Sequence, residues 1–257
     1  MTEDTGVSRR RFMTATSCAL ASVAVGAARG IAFQDAYGSK ARLTARPKAG
    51  VTTSLKSGPL GFGGGPGLDG TIQMPTALRA AKVPLLVFLH GASGAGPSLL
   101  RRIGPAADAA GVVVLAPDSR GITWDAIRGE FGEDIPFLNR ALEFVFDRLD
   151  VDPARVAIGG FSDGATYGLS LGLANGDLFP RIVACSPGFV VQAPQQGKPK
   201  LFFSHGTADQ VLPIDQCSRV IVPRLRSMGY DVTFREFEGR HELPPDIADE
   251  AMRWMVG

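Results

Sequence analysis

Histidine is scarce in this chain, and so are the other residues from which a reactive centre is usually assembled. There are three His, three Cys, two Trp and three Tyr in 257 residues. Cys18, Cys185 and Cys217 follow no metal-site spacing, which excludes a cysteine-built zinc module. Any general base must come from a short list: His90, His205 and His241. Missing too is an excess of charge of either sign, with 27 Lys and Arg against 25 Asp and Glu and a formal net charge of +2. Arg9, Arg10, Arg11 and Arg29 all precede Phe33, as do Glu3 and Asp4, so the remainder of the chain is balanced. A balanced surface has no basic face with which to displace the counterions of a nucleic acid, which argues against such a partner. There are no repeats, heptads or charge blocks, and no apolar run is long enough for a stable membrane span.

The start reads as an export signal. Ser8-Arg9-Arg10-Arg11-Phe12-Met13 precedes a short, mildly apolar run from residue 14 to 28, rich in Ala, Ser and Thr. That is the n-region and h-region of a signal peptide carrying the paired arginine of the twin-arginine type. Thr14 stands where that pattern commonly has lysine, and the residues before Cys18 are not the usual approach to a lipidated cysteine. The expectation is a leader over residues 1–32, cleaved between residues 27 and 32, and a mature protein that is periplasmic or secreted, with no stable membrane insertion. Cys185 and Cys217 can form a disulfide in an oxidising compartment, but a protein exported folded cannot depend on one, and two buried thiols are the alternative.

Residues 33–257 read as one α/β domain. Near-continuous apolar runs at 83–89, 112–115, 156–158, 182–184 and 201–203 have the texture of strands buried on both faces. Helical stretches at 98–110, 136–149, 166–174 and 216–228 fall between them, and 245–256 closes the chain. Strands alternating with helices predict a mostly parallel sheet covered by helices on both faces. Further strands are expected at 42–46, 71–75 and 231–238. Gly65, Gly67 and Gly70 spell Gly-x-Gly-x-x-Gly, but no strand leads in and no helix follows, so a hairpin turn replaces the dinucleotide reading.

In such sheets the reactive groups gather at the carboxyl ends of the strands. One strand runs into Gly160-Phe161-Ser162-Asp163-Gly164 with a helix beyond, the context in which Gly-x-Ser-x-Gly has a mechanism: a tight turn that exposes the serine. A serine hydroxyl needs a base and an orienter. His90 and His205 each sit at a strand end before a glycine, where shaping a turn or bonding to backbone is the better reading. His241 lies in the loop after the last strand and is the candidate base. No acid occurs between Asp177 and Asp209, so Asp209 is the candidate orienter, with Asp215 as competitor at the start of a helix. The catalytic candidates are therefore Ser162, Asp209 and His241, in the chain order expected of this fold. Backbone N–H groups of Ala92 and Asp163 are the candidate oxyanion donors, which leaves the Asp163 side chain incidental.

On "LLVFLHGASG", "VDPARVAIGGFSDGA", "FFSHGTADQVLP" and "GRHELPP", the chain resembles an α/β-hydrolase of the phospholipase/carboxylesterase type. It is also similar to bacterial poly(3-hydroxyalkanoate) depolymerase-like esterases. The resemblance runs from about residue 83 to 254 and implies a serine hydrolase without metal or cofactor, acting on small or polymer-derived carboxylic esters. Residues 187–199 are too few for the helical lid of many lipases, so no lid domain is expected. The alternative is a peptidase or amidase on the same three residues, although no peptide-selecting accessory domain and no acidic cluster for a free amine is apparent. A catalytically idle binding protein would require a missing member of the triad, and none is missing. Trp124 could wall the substrate pocket or sit in the core as an ordinary aromatic.

Overall fold

Every residue of Val83–Leu89 is buried, and the side chains alternate between two separate cores. Leu85, Val87 and Leu89 enter one, Leu86 and Phe88 the other. A strand with helices on both sides has no solvent face, which is why the sequence shows no polar alternation there. The computed structural model describes residues 40–52, 55–61, 69–78 and 82–257. The leader expected over residues 1–32 lies outside the described residues, as does most of the glycine-rich run at 62–68.

In chain order the elements are β1 (Gly58–Pro59), β2 (Gly70–Gln73), β3 (Val83–Leu89), α1 (Gly96–Ala110), β4 (Val113–Pro117), α2 (Asp125–Arg128) and α3 (Asp134–Phe146). They continue with β5 (Val151–Phe161), α4 (Asp163–Ala174), β6 (Arg181–Cys185), β7 (Lys200–Gly206), α5 (Ser218–Ser227), β8 (Val232–Phe237) and α6 (Pro245–Val256). The sheet order is β1-β2-β4-β3-β5-β6-β7-β8, antiparallel at β1 and β2 and parallel from β4 onward. The β1–β2 pairing closes the hairpin expected around Gly65–Gly70, although its tip is outside the described residues.

Helices α1 and α6 cover one face, where Leu99, Ile103 and Ala107 meet Ala248, Met252 and Met255. Helices α3, α4 and α5 contribute Phe137, Leu142, Leu169 and Val222 to the other. Each large apolar side chain so enclosed adds roughly 1.5–3 kcal/mol, and together they hold the carboxyl edge of the sheet as a rigid rim. Among the described residues no helix is long and apolar enough to cross a membrane.

The strand expected at 42–46 does not form. The backbone there is extended, but its peptide groups bond to asparagine side chains rather than to a strand. Asn175 accepts from Leu43 N at 2.9 Å and donates to Ala41 O at 2.8 Å, while Asn139 accepts from Thr44 N and Ala45 N at 2.7 and 2.8 Å. Arg42 and Arg46 close on Asp177 at 2.9 and 2.6 Å, and these guanidinium partners outweigh partial burial to pull its carboxyl down to about 2. The segment is a strap across α3 and α4. An alternating pattern fits either arrangement, because both bury every second side chain.

Candidate active site

Strand β5 carries the chain straight into the turn at Ser162, which has φ 59° and ψ −123°. That left-handed backbone is costly for a residue with a Cβ, and it persists only where the surroundings hold it. Here Ser162 N donates to Cys185 O at 3.0 Å, and Ser162 O accepts from Thr166 N at 3.0 Å. The flanking glycines leave the turn room: a Cβ on Gly164 would lie 2.0 Å from Leu89 O, and one on Gly160 would lie 2.4 Å from the Gly164 carbonyl carbon. The Ser162 hydroxyl has no hydrogen-bond partner among the described residues. It is therefore free to meet a ligand.

His241 Nδ1 and Asp209 Oδ2 are 2.6 Å apart. Asp209 is an acceptor, so Nδ1 carries a proton, and in the neutral ring Nε2 is then the nitrogen with the lone pair that a base needs. The other Asp209 oxygen accepts from Val211 N and Leu212 N, each at 2.8 Å. Burial works to raise the Asp209 carboxyl, but the His241 bond and these backbone donors outweigh it and leave it below the ordinary value. The His241 ring lies 4.7 Å from the Phe161 ring, which sets it beside the residue preceding Ser162. Asp215, the rival orienter, is exposed and bonded to Arg219 at 2.8 Å.

A third group at Asp209 escaped the sequence reading. His205 is fully buried, and its Nε2 lies 2.8 Å from Leu212 O and 3.2 Å from Asp209 Oδ2. A carbonyl can only accept, so Nε2 carries the proton and Nδ1 accepts from Ser218 Oγ at 2.7 Å. Burial holds the imidazole below its ordinary pKa against the opposing pull of Leu212 O and Asp209, so the ring is neutral near pH 7. His205 does bond to backbone, as expected of it, and it also braces the carboxylate that braces His241.

The loop after β3 faces the serine: a Cβ on Gly91 would lie 3.2 Å from Ser162 Cβ and 3.7 Å from its Oγ. Neither the Ala92 N–H nor the Asp163 N–H has a partner among the described residues. Two unspent donors beside a serine can hold an oxygen that gains charge. His90 shapes the loop. Its Nε2 accepts from Ser119 N at 3.0 Å, so Nδ1 donates to Gly91 O at 2.8 Å. Trp124 is fully buried, donates from Nε1 to His90 O at 2.8 Å and packs between His90 and Tyr167 at 5.0 and 5.2 Å. It is a core pillar under the loop rather than a pocket wall.

The Asp163 carboxylate is not incidental. Its Oδ2 accepts from Thr123 Oγ1 at 2.6 Å, tying the start of α4 to the loop that carries Trp124. Cys185 and Cys217 are both buried and are not joined in a disulfide, and burial pushes the Cys185 thiol up to about 12. Among the described residues no group of three or more His, Cys, Asp or Glu is arranged to hold a metal ion.

Two hollows adjoin this edge. One of about 1060 Å³ runs between residues 188–195 and α5, lined by Ser170, Leu173, Phe189, Val191, Ile221 and Met228 among others. Ser162 does not line it; its near end is Gly188, whose N–H donates to Thr166 Oγ1 at 2.8 Å, one helical turn beyond the serine. The second, of about 280 Å³, is lined by His90, Gly91, Ala92, Arg101, Arg102 and Phe161.

Residues 133–254 match the family model described as phospholipase/carboxylesterase. NocK, a proposed esterase of Nocardia uniformis subsp. tsuyamanensis, is 28% identical over 147 residues, covering 52% of this chain and 42% of the relative. The chain thus aligns with under half the length of that relative. Among solved structures, esterase PE8 superposes with a TM-score of 0.60 at 22% identity, over 79% of this chain and 99% of that one. The Bacillus cereus carboxylesterase gives 0.57 at 20% identity, over 72% of this chain and 92% of that one. At such identities the structures share the fold.

Proposed function

We propose that this chain, an α/β-hydrolase of the phospholipase/carboxylesterase type, hydrolyses carboxylic esters through an acyl-enzyme on Ser162. The observation that carries the reading is a strained, unpartnered serine hydroxyl beside two unspent N–H groups, with an Asp209–His241 pair at the same edge of the sheet. His241 Nε2 takes the Ser162 proton as Oγ attacks the acyl carbon. The Ala92 and Asp163 N–H groups hold the resulting oxyanion. The imidazolium, stabilised by Asp209, then gives its proton to the departing alcohol. Water, deprotonated in turn by His241, releases the acid and restores the serine. Hydrolase relatives named as esterases support this over the peptidase alternative. A fluorophosphonate probe should label Ser162 stoichiometrically, and matched ester and amide substrates should show turnover of the ester alone.

The site should favour short acyl chains. Residues 187–199 form neither helix nor strand, so this segment supplies no helical lid. The large apolar hollow begins a helical turn away from the serine. Each buried methylene adds about 0.8 kcal/mol only while it has surface to pack against. In an acyl-length series kcat/KM should peak at roughly two to six carbons, the range in which that gain is exhausted. No jump should appear as substrate passes its solubility limit. A rate that climbs steadily to long chains, or switches on at an emulsion, would restore the lipase reading.

We also propose export by the twin-arginine route, on the strength of Arg9 and Arg10 before a weakly apolar run. Arg9→Lys with Arg10→Lys should strand precursor in the cytoplasm, read by fractionation and immunoblot. Normal export of the double variant would count against that route.

A further inference from the structure

The smaller hollow carries charge toward the reacting centre. Helix α1 begins four residues after Ala92, so its first turns stand at the carboxyl edge of the sheet. Ser98, Arg101 and Arg102 are spaced i, i+3, i+4 on that helix and share one flank, which lines the hollow together with Gly91, Ala92 and Phe161. The Arg102 guanidinium lies 5.3 Å from the centre of the Phe161 ring, and that ring lies 4.7 Å from the ring of His241. The cation, the aromatic and the base form one line of contacts, with the two rings tilted by 39°.

Neither arginine has a carboxylate partner among the described residues. Arg101 reaches only Pro97 O in its own helix, at 3.4 Å. Arg42, Arg155 and Arg219 are paired, with Asp177, Asp152 and Glu236 respectively, while Arg140, Arg224 and Arg253 share the lack of a carboxylate partner, so it is the position of Arg101 and Arg102 beside the hollow that sets them apart. The amino end of α1 adds little, because Asp118 Oδ1 already accepts from Gly96 N at 2.7 Å. The attraction for an anion therefore resides in the two guanidinium groups, whose planar forks fit carboxylate oxygens in pairs.

We propose that this hollow, beside the oxyanion loop, receives a carboxylate carried by the substrate, so that the preferred substrates are esters with one anionic limb. The proposal rests on the ester-hydrolase reading and names the substrate class of that same site. The carboxylate can belong to the acyl side, as in a dicarboxylic half-ester, or to the alcohol side, as in an acylated hydroxy acid. In either case its charge is met by Arg101 and Arg102 while the ester carbonyl lies against Ala92 and Asp163. At about 280 Å³ the hollow has room for a short chain ending in a carboxylate.

The test uses two pairs, each setting an anionic ester against its neutral counterpart. Monoethyl succinate against diethyl succinate places the carboxylate on the acyl side; 3-acetoxybutyrate against its methyl ester places it on the alcohol side. In one of the two pairs, the wild-type protein should prefer the anionic member in kcat/KM by about tenfold, mostly through KM. That ratio should fall as salt rises from low to well above 0.1 M, where the Debye length is about 10 Å. Arg101→Gln with Arg102→Gln should bring the ratio close to one, Arg101→Glu with Arg102→Glu should invert it, and the double lysine variant should keep part of it. Turnover with no preference in either pair, or a preference that survives the double glutamine variant, overturns the anion pocket and leaves the ester reading standing. Failure to cleave any of the four esters would instead sink the ester reading on which the proposal rests.

Discussion

A Ser162→Ala protein should fold normally and hydrolyse essentially nothing, with kcat down by about 10⁴-fold or more. The hydroxyl makes no hydrogen bond among the described residues, so its loss removes no structural contact. The turn is held by Ser162 N and O instead. His241→Ala should cost a similar factor, because the attack then lacks an acceptor for the proton. The two losses should not add, since a serine without a base and a base without a serine fail at the same step. Asp209 needs a gentler substitution. Its Oδ1 accepts from two backbone N–H groups and its Oδ2 faces two histidines, so alanine would also strip partners from buried donors. Asp209→Asn keeps the shape, removes the charge that stabilises the imidazolium, and should be roughly tenfold to a hundredfold less damaging than loss of the serine. Single-turnover acylation by an activated ester measures all three, with thermal melts to show that each variant is folded. More than a small residual rate in Ser162→Ala would end the assignment.

Much of this centre was legible because the decisive signals are local. Gly160, Ser162 and Gly164 sit between an apolar run and a helix, and only the strand-turn-helix arrangement gives that spacing a purpose. The pairing of Asp209 with His241 was reachable by elimination in a chain with three histidines and no acid between Asp177 and Asp209. What stayed hidden depends on contacts across the fold. Ser119, 29 residues beyond His90, sets the tautomer with which His90 holds Gly91. Thr123 finds the Asp163 carboxylate 40 residues away. His205 and Asp209 lie four apart in sequence, a spacing that says nothing outside a helix until the strand-end turn brings them together. The segment expected as a strand at 42–46 departs for a related reason: its partners are asparagine side chains on α3 and just past the end of α4, which no backbone periodicity reports. Exposed arginines on an amphipathic helix are ordinary, and only the hollow beside Arg101 and Arg102 gives the pair a direction.

The second large effect is expected where no functional group is touched. Gly164→Ala adds one methyl, and its position is already occupied: Leu89 O would be 2.0 Å away, the Leu89 carbonyl carbon 2.4 Å and His90 O 2.6 Å. All three are backbone atoms at the end of β3, so no side chain can rotate aside. Either α4 withdraws from the sheet or the end of β3 gives way, and over-packing of this kind typically costs about 1–3 kcal/mol, more where the backbone must move. The direction of the movement matters more than its cost. Leu89 and His90 lead into the Gly91–Ala92 loop, and Gly164 lies two residues past Ser162, so relief of the clash separates the serine and the adjoining Asp163 N–H from the Ala92 N–H, the second of the two proposed oxyanion donors. A displacement near 1 Å at a reacting centre costs about a hundredfold in rate. Gly164→Ala should therefore melt several degrees lower and, in the folded fraction at low temperature, show kcat reduced by about a hundredfold with KM less affected. Gly61→Ala serves as the control, because no atom of the described residues lies within 4 Å of its added methyl. If Gly164→Ala melts lower yet turns over at the wild-type rate, the turn and the Ala92 loop are not mechanically joined, and the oxyanion assignment loses its geometric basis.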